Sequence, residues 1–263
     1  MRQRVERQPG GGAWPRGRLL RGRPDDVRRD AALLGCIGLI AFLVRAGPVL
    51  VGGGLDGYLA YDDGVYFGAA IALVHGELPY RDVLLLHPPG MAVLLVPFAV
   101  LGSAVGDAPA FATARLSIIA MGAVNAVLAG LVAGRYGRAA GLLAAGLYAT
   151  WNVAAVGERS TDLHAPQHLL VLGALLLLAG PGRVRVGHGV AAGALLGFAT
   201  SIQLWQGATL LVALWWIWTR AVHDRGLRTV TGSAAAAVAA FALVAGPFLA
   251  LAPEPMVRQA VID

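Results

Sequence analysis

Two adjacent carboxylates, Asp62 and Asp63, open the segment YDDGVYFGAAIALVHGE at residues 61–77. A carboxylate that faces a hydroxyl or an amine can take its proton as a general base. Asp is also a preferred helix cap, because its oxygen accepts free N–H groups of the first turn and its charge suits the positive end of the dipole. A short amphipathic or interfacial helix is expected from Gly64 onward, and one Asp is enough to cap it. Further on, YRDVLLLHPPG at 80–90 carries Arg81 and His87. His87 precedes a proline and is biased to extended backbone, and Pro88 or Pro89 suits the first turn of a helix. That puts His87 in line with the free N–H groups of a helix start, where phosphate binds readily. A proline-initiated helix with His as an incidental polar cap fits the same residues.

A third group is GERSTDLHAPQH at 157–168, where Glu158, Arg159, Asp162, His164 and His168 crowd one short segment. It reads either as a solvated turn whose Asp162 caps the next helix or as part of a site. Glu158 with Asp162, and His164 with His168, have the i,i+4 spacing of a helical metal pair. Pro166 breaks that geometry, so no metal and no cofactor is expected.

The elements that must position these groups follow from composition. The chain has 263 residues, 57% hydrophobic and 14% charged, against roughly 25% charged in a soluble domain. Apolar runs near the length of a membrane span recur along it. The fold expected is all-α, a polytopic transmembrane bundle of about seven spans near 31–51, 114–134, 139–156, 164–180, 189–203, 206–219 and 229–252. The run 90–102 reaches only about 20 Å at 1.5 Å per residue and contains Pro97, so it is read as an interfacial helix that does not cross. With the helix at 64 it would lie in the first outer loop. Residues 1–30 hold nine Arg among Pro and Gly and read as a disordered basic cytoplasmic tail, followed by one membrane domain at 31–263. Arg28–Arg29 resembles a twin-arginine signal and Leu33-Leu34-Gly35-Cys36 a lipoprotein box. Too few apolar residues precede Cys36 for either, and the run is long enough to span.

Charge sets the expected orientation. Arg supplies all 21 basic residues. With the N-terminus inside and 90–102 not crossing, sixteen of the 21 lie in inner segments: the tail, Arg135 and Arg138, Arg183 and Arg185, and Arg220, Arg225 and Arg228. Ten of the 15 acids fall on the other side, six of them in 52–113. Topology therefore accounts for the net charge of +6, and no nucleic-acid partner is expected. The block 189–219 satisfies the same rule only as two short helices turning near Gln203–Gly207. Arg45, a charge within the first span, lies near enough to the outer end to snorkel. The single Cys36 excludes an intrachain disulfide.

YDDGVYFGAA, then PYRD, then HPPG before an apolar helix resembles the N-terminal half of the polytopic C-type glycosyltransferases, in particular the protein mannosyltransferase and aminoarabinose transferase group. The resemblance covers about residues 31–260. It implies that Asp62 is the catalytic Asp and Asp63 its acidic neighbour, where the family has Glu. His87 stands where the family has a Lys that contacts the lipid phosphate, and Asp162, or else Glu158, where it has a later acid. The implied activity is inverting transfer of a sugar from a polyprenyl-phosphate carrier to an acceptor glycan, lipid or protein on the outer face of a cell membrane. Members are usually longer, so the chain is expected to be an N-terminal portion. The expected substrate-binding set is His87, Arg81, Tyr66, Glu158, Arg159 and Asp162. A transporter or lipid flippase, and a non-catalytic membrane scaffold, are the alternatives. The transporter would require charges mid-span.

Overall fold

The computed structural model describes residues 19–20, 23–57, 59, 62–180, 183–220 and 226–262. Most of the basic tail (1–18, 21–22), Tyr61 and Arg225 lie outside the described residues. Among those described, every regular element is a helix, apart from one isolated bridge between Pro79 and Val83.

α1 (Pro24–Val51) starts on a proline, with Asp25 and Asp26 at the positive end of its dipole. Residues 24–30 thus belong to a helix and not to the tail, a correction to the sequence reading. Asp30 shows why. It is buried, accepts the Leu20 N–H at 3.1 Å and pairs with Arg138 Nε at 2.6 Å, fixing this end of α1.

α2 (Val65–Val74) and α3 (Gly90–Val105) follow, and then α4 (Asp107–Ala133). α3 and α4 meet at Gly106, whose φ of 90° belongs to glycine and allows the chain to reverse within one residue. The span expected at 139–156 is two pieces, α5 (Arg138–Thr150) and α6 (Asn152–Gly157), because Trp151 is extended, with ψ 114°. α7 (His164–Leu178), α8 (Val186–Ile202) and α9 (Gln206–Arg220) come next, with Gln203 extended between α8 and α9, so that block does turn where expected. α10 (Gly226–Leu251), α11 (Pro253–Val257) and a π-helical turn at 258–262 close the described chain.

α1, α4 and α10 are long and apolar enough to cross a membrane. Their 28, 27 and 26 residues give about 40 Å each, against a hydrocarbon core of about 30 Å. α2, α3, α7 and α8 are apolar but shorter. Leu39, Leu147, Leu211, Val238 and Leu243 each expose 60% or more of their surface, and such an apolar mantle suits hydrocarbon surroundings.

α4 packs against α1, α3, α5 and α7, while α8 lies along α10. Gly193 and Gly197 permit that second contact, since a side chain at either would run into the backbone of Ser233 or Ala237. Small residues four apart let membrane helices approach closely. Contacts sort the connections to two ends of the bundle. Leu19 bonds Gly134 and Asp30 pairs with Arg138 at one end. At the other, Gly54 meets Arg115, Asp63 meets Thr161, and Tyr80 and Leu85 meet Gln259. These are the groups expected inside and outside, respectively.

Candidate functional site

Asp62 and Asp63 part company in the structure. Asp63 is buried and both its oxygens are occupied. Oδ2 accepts from Arg115 Nη2, in a contact with no solvent exposure on either side, and from the Leu59 N–H at 3.1 Å. Oδ1 accepts from Thr161 Oγ1 at 2.9 Å and from the Thr161 N–H at 3.2 Å. Arg115 also donates to the carbonyls of Gly54 and Leu55 and lies 4.6 Å from the centre of the Phe111 ring. One carboxylate therefore joins the first loop, α4 and the 157–163 segment.

Neither Asp caps α2. The cap position is Gly64, in the left-handed region with φ 95°, and no side chain bonds the first turn. Asp62 is exposed, and its carboxylate has no hydrogen-bond or ion-pair partner among the described residues. The adjacent carboxylates thus differ in kind: one is a buried anchor and the other is open to solvent.

One turn along α2, Tyr66 is buried, and its hydroxyl meets His87 Nδ1 at 3.0 Å. Burial first, then the carboxylates of Asp162 and Asp62, pushes the Tyr66 phenol well up, so it stays a hydroxyl. Its bond to Nδ1 leaves His87 Nε2 for another partner. His87 stands two residues before the α3 cap at Pro89. It lines a cavity of about 390 Å³ with Leu86, Pro88, Gln203, Trp205 and Val261.

Asp162 reaches the same place from the 157–163 segment. Its Oδ2 lies 2.9 Å from His164 Nδ1, and its Oδ1 accepts the Leu163 N–H at 2.6 Å. Burial works to raise the Asp162 carboxyl. Those hydrogen bonds, with the nearby His164 and His87, outweigh it and hold the group below its ordinary value. Asp62, Tyr66, His87 and Asp162 are therefore brought together from three segments.

The other expected site residues fall elsewhere. Arg81 pairs on the surface with Asp82, Nη2 to Oδ2 2.8 Å. Arg159 is half-buried and has no ion-pair partner among the described residues. Glu158 is fully buried. Its Oε2 accepts from Arg45 Nε at 3.0 Å and Nη2 at 2.7 Å. Its Oε1 meets Asn125 Nδ2 at 2.8 Å, the Tyr148 hydroxyl at 2.7 Å and His168 Nδ1 at 3.0 Å. Arg45 accordingly does not snorkel, a second correction. Its guanidinium turns inward onto Glu158 and the carbonyls of Ala41 and Ala149. Gly122 makes room for it, since a side chain there would meet both Arg45 and Glu158. His164 and His168, which have the spacing of a helical metal pair, serve two different carboxylates.

Arg115, Thr161, Asn125, Tyr148 and Gln259 were not singled out from sequence. For Arg115 and Asn125 a signal existed: a charge or an amide inside an apolar helix marks a buried partner. Comparison with protein-family models, with curated proteins and with solved structures finds no match to this chain.

Proposed function

We propose that this chain is a seven-span membrane glycosyltransferase that moves a sugar from a polyprenyl-phosphate carrier to an acceptor on the outer face of a bacterial plasma membrane, with its N-terminus cytoplasmic. The observation that carries the reading is the juxtaposition of an unoccupied carboxylate, Asp62, with the Tyr66–His87 pair at the start of α3. All these groups lie at the end of the bundle that collects the acidic loops. Nucleotide sugars are not expected there, and a lipid-borne donor reaches it through the membrane.

The chemistry needs few parts. Asp62 takes the acceptor proton as the hydroxyl or amine attacks the anomeric carbon. The bond to the phosphate oxygen breaks, and lipid phosphate leaves as a stable anion without a general acid. A single displacement inverts the anomeric centre. His87 near the helix start, together with Arg159, holds the phosphate as charge develops on it. The cavity beside His87, walled by Leu86, Leu204, Trp205 and Val261, suits the apolar carrier next to its phosphate. Asp63 keeps Asp62 in place through Arg115 and Thr161.

A transporter would need a mid-bundle charge free to meet its solute. Arg45 and Glu158 are spent on each other, which favours the enzyme.

The test is sugar transfer from a polyprenyl-phosphate donor by purified protein in liposomes, with donor affinity measured alongside. His87→Ala is expected to weaken donor binding and His87→Lys to retain it, since Lys supplies a point charge to the phosphate. Absence of transfer across polyprenyl-phosphate sugars, with donor affinity equal in wild type and His87→Ala, would remove the reading.

A further inference from the structure

We infer that Gln259, in the π-helical turn at the end of the described chain, is the positioning residue that sets His87 in place. The inference rests on the reading of His87 as a phosphate ligand. The loop before His87 is held partly by its own bonds and partly from outside. Tyr80 has φ 74°, a left-handed conformation that residues with a side chain avoid. Local bonds close part of the loop: Tyr80 N–H to the Val83 carbonyl at 2.7 Å, and Leu78 N–H to Asp82 Oδ2 at 2.8 Å. The rest is held from outside. Gln259 is buried, and both ends of its amide are used on this one loop. Nε2 donates to the Tyr80 carbonyl at 2.9 Å, and Oε1 accepts the Leu85 N–H at 3.1 Å.

The held residues act directly on His87. The Tyr80 hydroxyl donates to the His87 carbonyl at 2.8 Å, while its ring stands edge-on to Phe248 of α10 at 6.0 Å. Leu85, the other anchor, is fully buried and lies two residues before His87. The next residues of the same turn, Ala260 and Val261, line the cavity that His87 lines. A single turn therefore braces the loop from behind and supplies part of the wall in front. Gln suits this task, because one planar amide presents a donor and an acceptor side by side to two backbone groups.

The experiment uses the whole chain in detergent, with farnesyl monophosphate as the probe. Gln259→Met keeps the length and apolar stem and removes both hydrogen bonds. It is expected to bind the probe roughly tenfold more weakly. Gln259→Glu keeps the acceptor for Leu85 and should fall between the two; it also serves if the Met variant does not fold. In a His87→Ala background Gln259→Met should add nothing, because it acts through His87. The imidazole nitrogen resonances of His87 should move in Gln259→Met, and those of His164 and His168 should stay. An additive loss in the double variant, or His87 resonances unmoved by the Met and Glu changes, overturns the inference. If His87→Ala binds the probe as wild type does, the phosphate reading falls, and the resonances alone decide whether Gln259 positions His87.

Discussion

Arg45 Nη2 lies 2.7 Å from Glu158 Oε2, and neither side chain touches solvent. Such a pair is costly to desolvate, and its attraction repays that cost only when the remaining donors and acceptors are met. Here they are met, by two backbone carbonyls on the Arg side and by Asn125, Tyr148 and His168 on the Glu side. The pair ties α1 to the segment that delivers Thr161 to Asp63 and Asp162 to the candidate site. It is a fastener between α1 and the segment that carries Thr161 and Asp162.

Removing one partner leaves the other charge buried and alone, which costs about 3–5 kcal/mol. Arg45→Met and Glu158→Gln are therefore each expected to lower the thermal unfolding temperature in detergent sharply. The double variant should recover much of the loss, because neither charge is then orphaned. Single variants as stable as wild type would show that the pair is not formed.

Sidedness can be read by cysteine labelling in intact cells. In a Cys36→Ser background, Glu77→Cys, on an exposed residue between α2 and the His87 loop, is expected to react with an impermeant reagent without permeabilisation. Arg183→Cys, on the opposite end of the bundle, should react only after it. The reverse pattern would put the candidate site in the cytoplasm, where the lipid-donor mechanism does not apply.

Asp162 makes a pH prediction. Its folded-state carboxyl lies below the ordinary value of 3.8. A depressed carboxylate contributes stability that is fully present above its unfolded value and is lost as pH falls through the folded value. Unfolding temperature is thus expected to fall as pH drops below about 4, and Asp162→Asn should flatten that slope while lowering stability near neutral pH. An identical slope in wild type and variant would mean that the hydrogen bonds from His164 and Leu163 do not favour the charged form.

Much of the helix layout was legible because apolar runs and their breaks are local. The turn at Gln203 follows from span length and from the placement of Arg. The break at Trp151 was not legible, since no Gly or Pro marks it. The site was half legible. Asp62, Tyr66 and His87 share two neighbouring segments, so short motifs point to them. Arg115 with Asp63, Arg45 with Glu158 and Gln259 with Leu85 are separated by 52, 113 and 174 residues. No spacing rule links such residues. The capping error has a local cause: Gly64 directly after the two Asp residues allows a left-handed entry that needs no side-chain cap.

That contrast between Asp62 and Asp63 gives the sharpest test. Asn has nearly the shape of Asp but carries no charge and is no useful base. At the exposed Asp62 it removes no described contact, so expression and unfolding temperature are expected to stay at wild-type values. If Asp62 is the base, sugar transfer should fall by roughly 10²–10⁴-fold. At Asp63 the same change acts on a buried ion pair. Asn keeps an oxygen for Thr161 but leaves the Arg115 charge without its counter-charge, at a cost of about 3–5 kcal/mol. Asp63→Asn is therefore expected to lower unfolding temperature first, with activity lost in proportion to folded protein. Asp63→Glu keeps the charge but must fit one more methylene into a buried site, and it should retain more stability than Asp63→Asn. The two readouts, transfer per folded molecule and unfolding temperature, separate base from anchor. Near-normal transfer by Asp62→Asn would rule Asp62 out as the base. A large loss of transfer per folded molecule in Asp63→Asn, at unchanged unfolding temperature, would move the chemistry to Asp63.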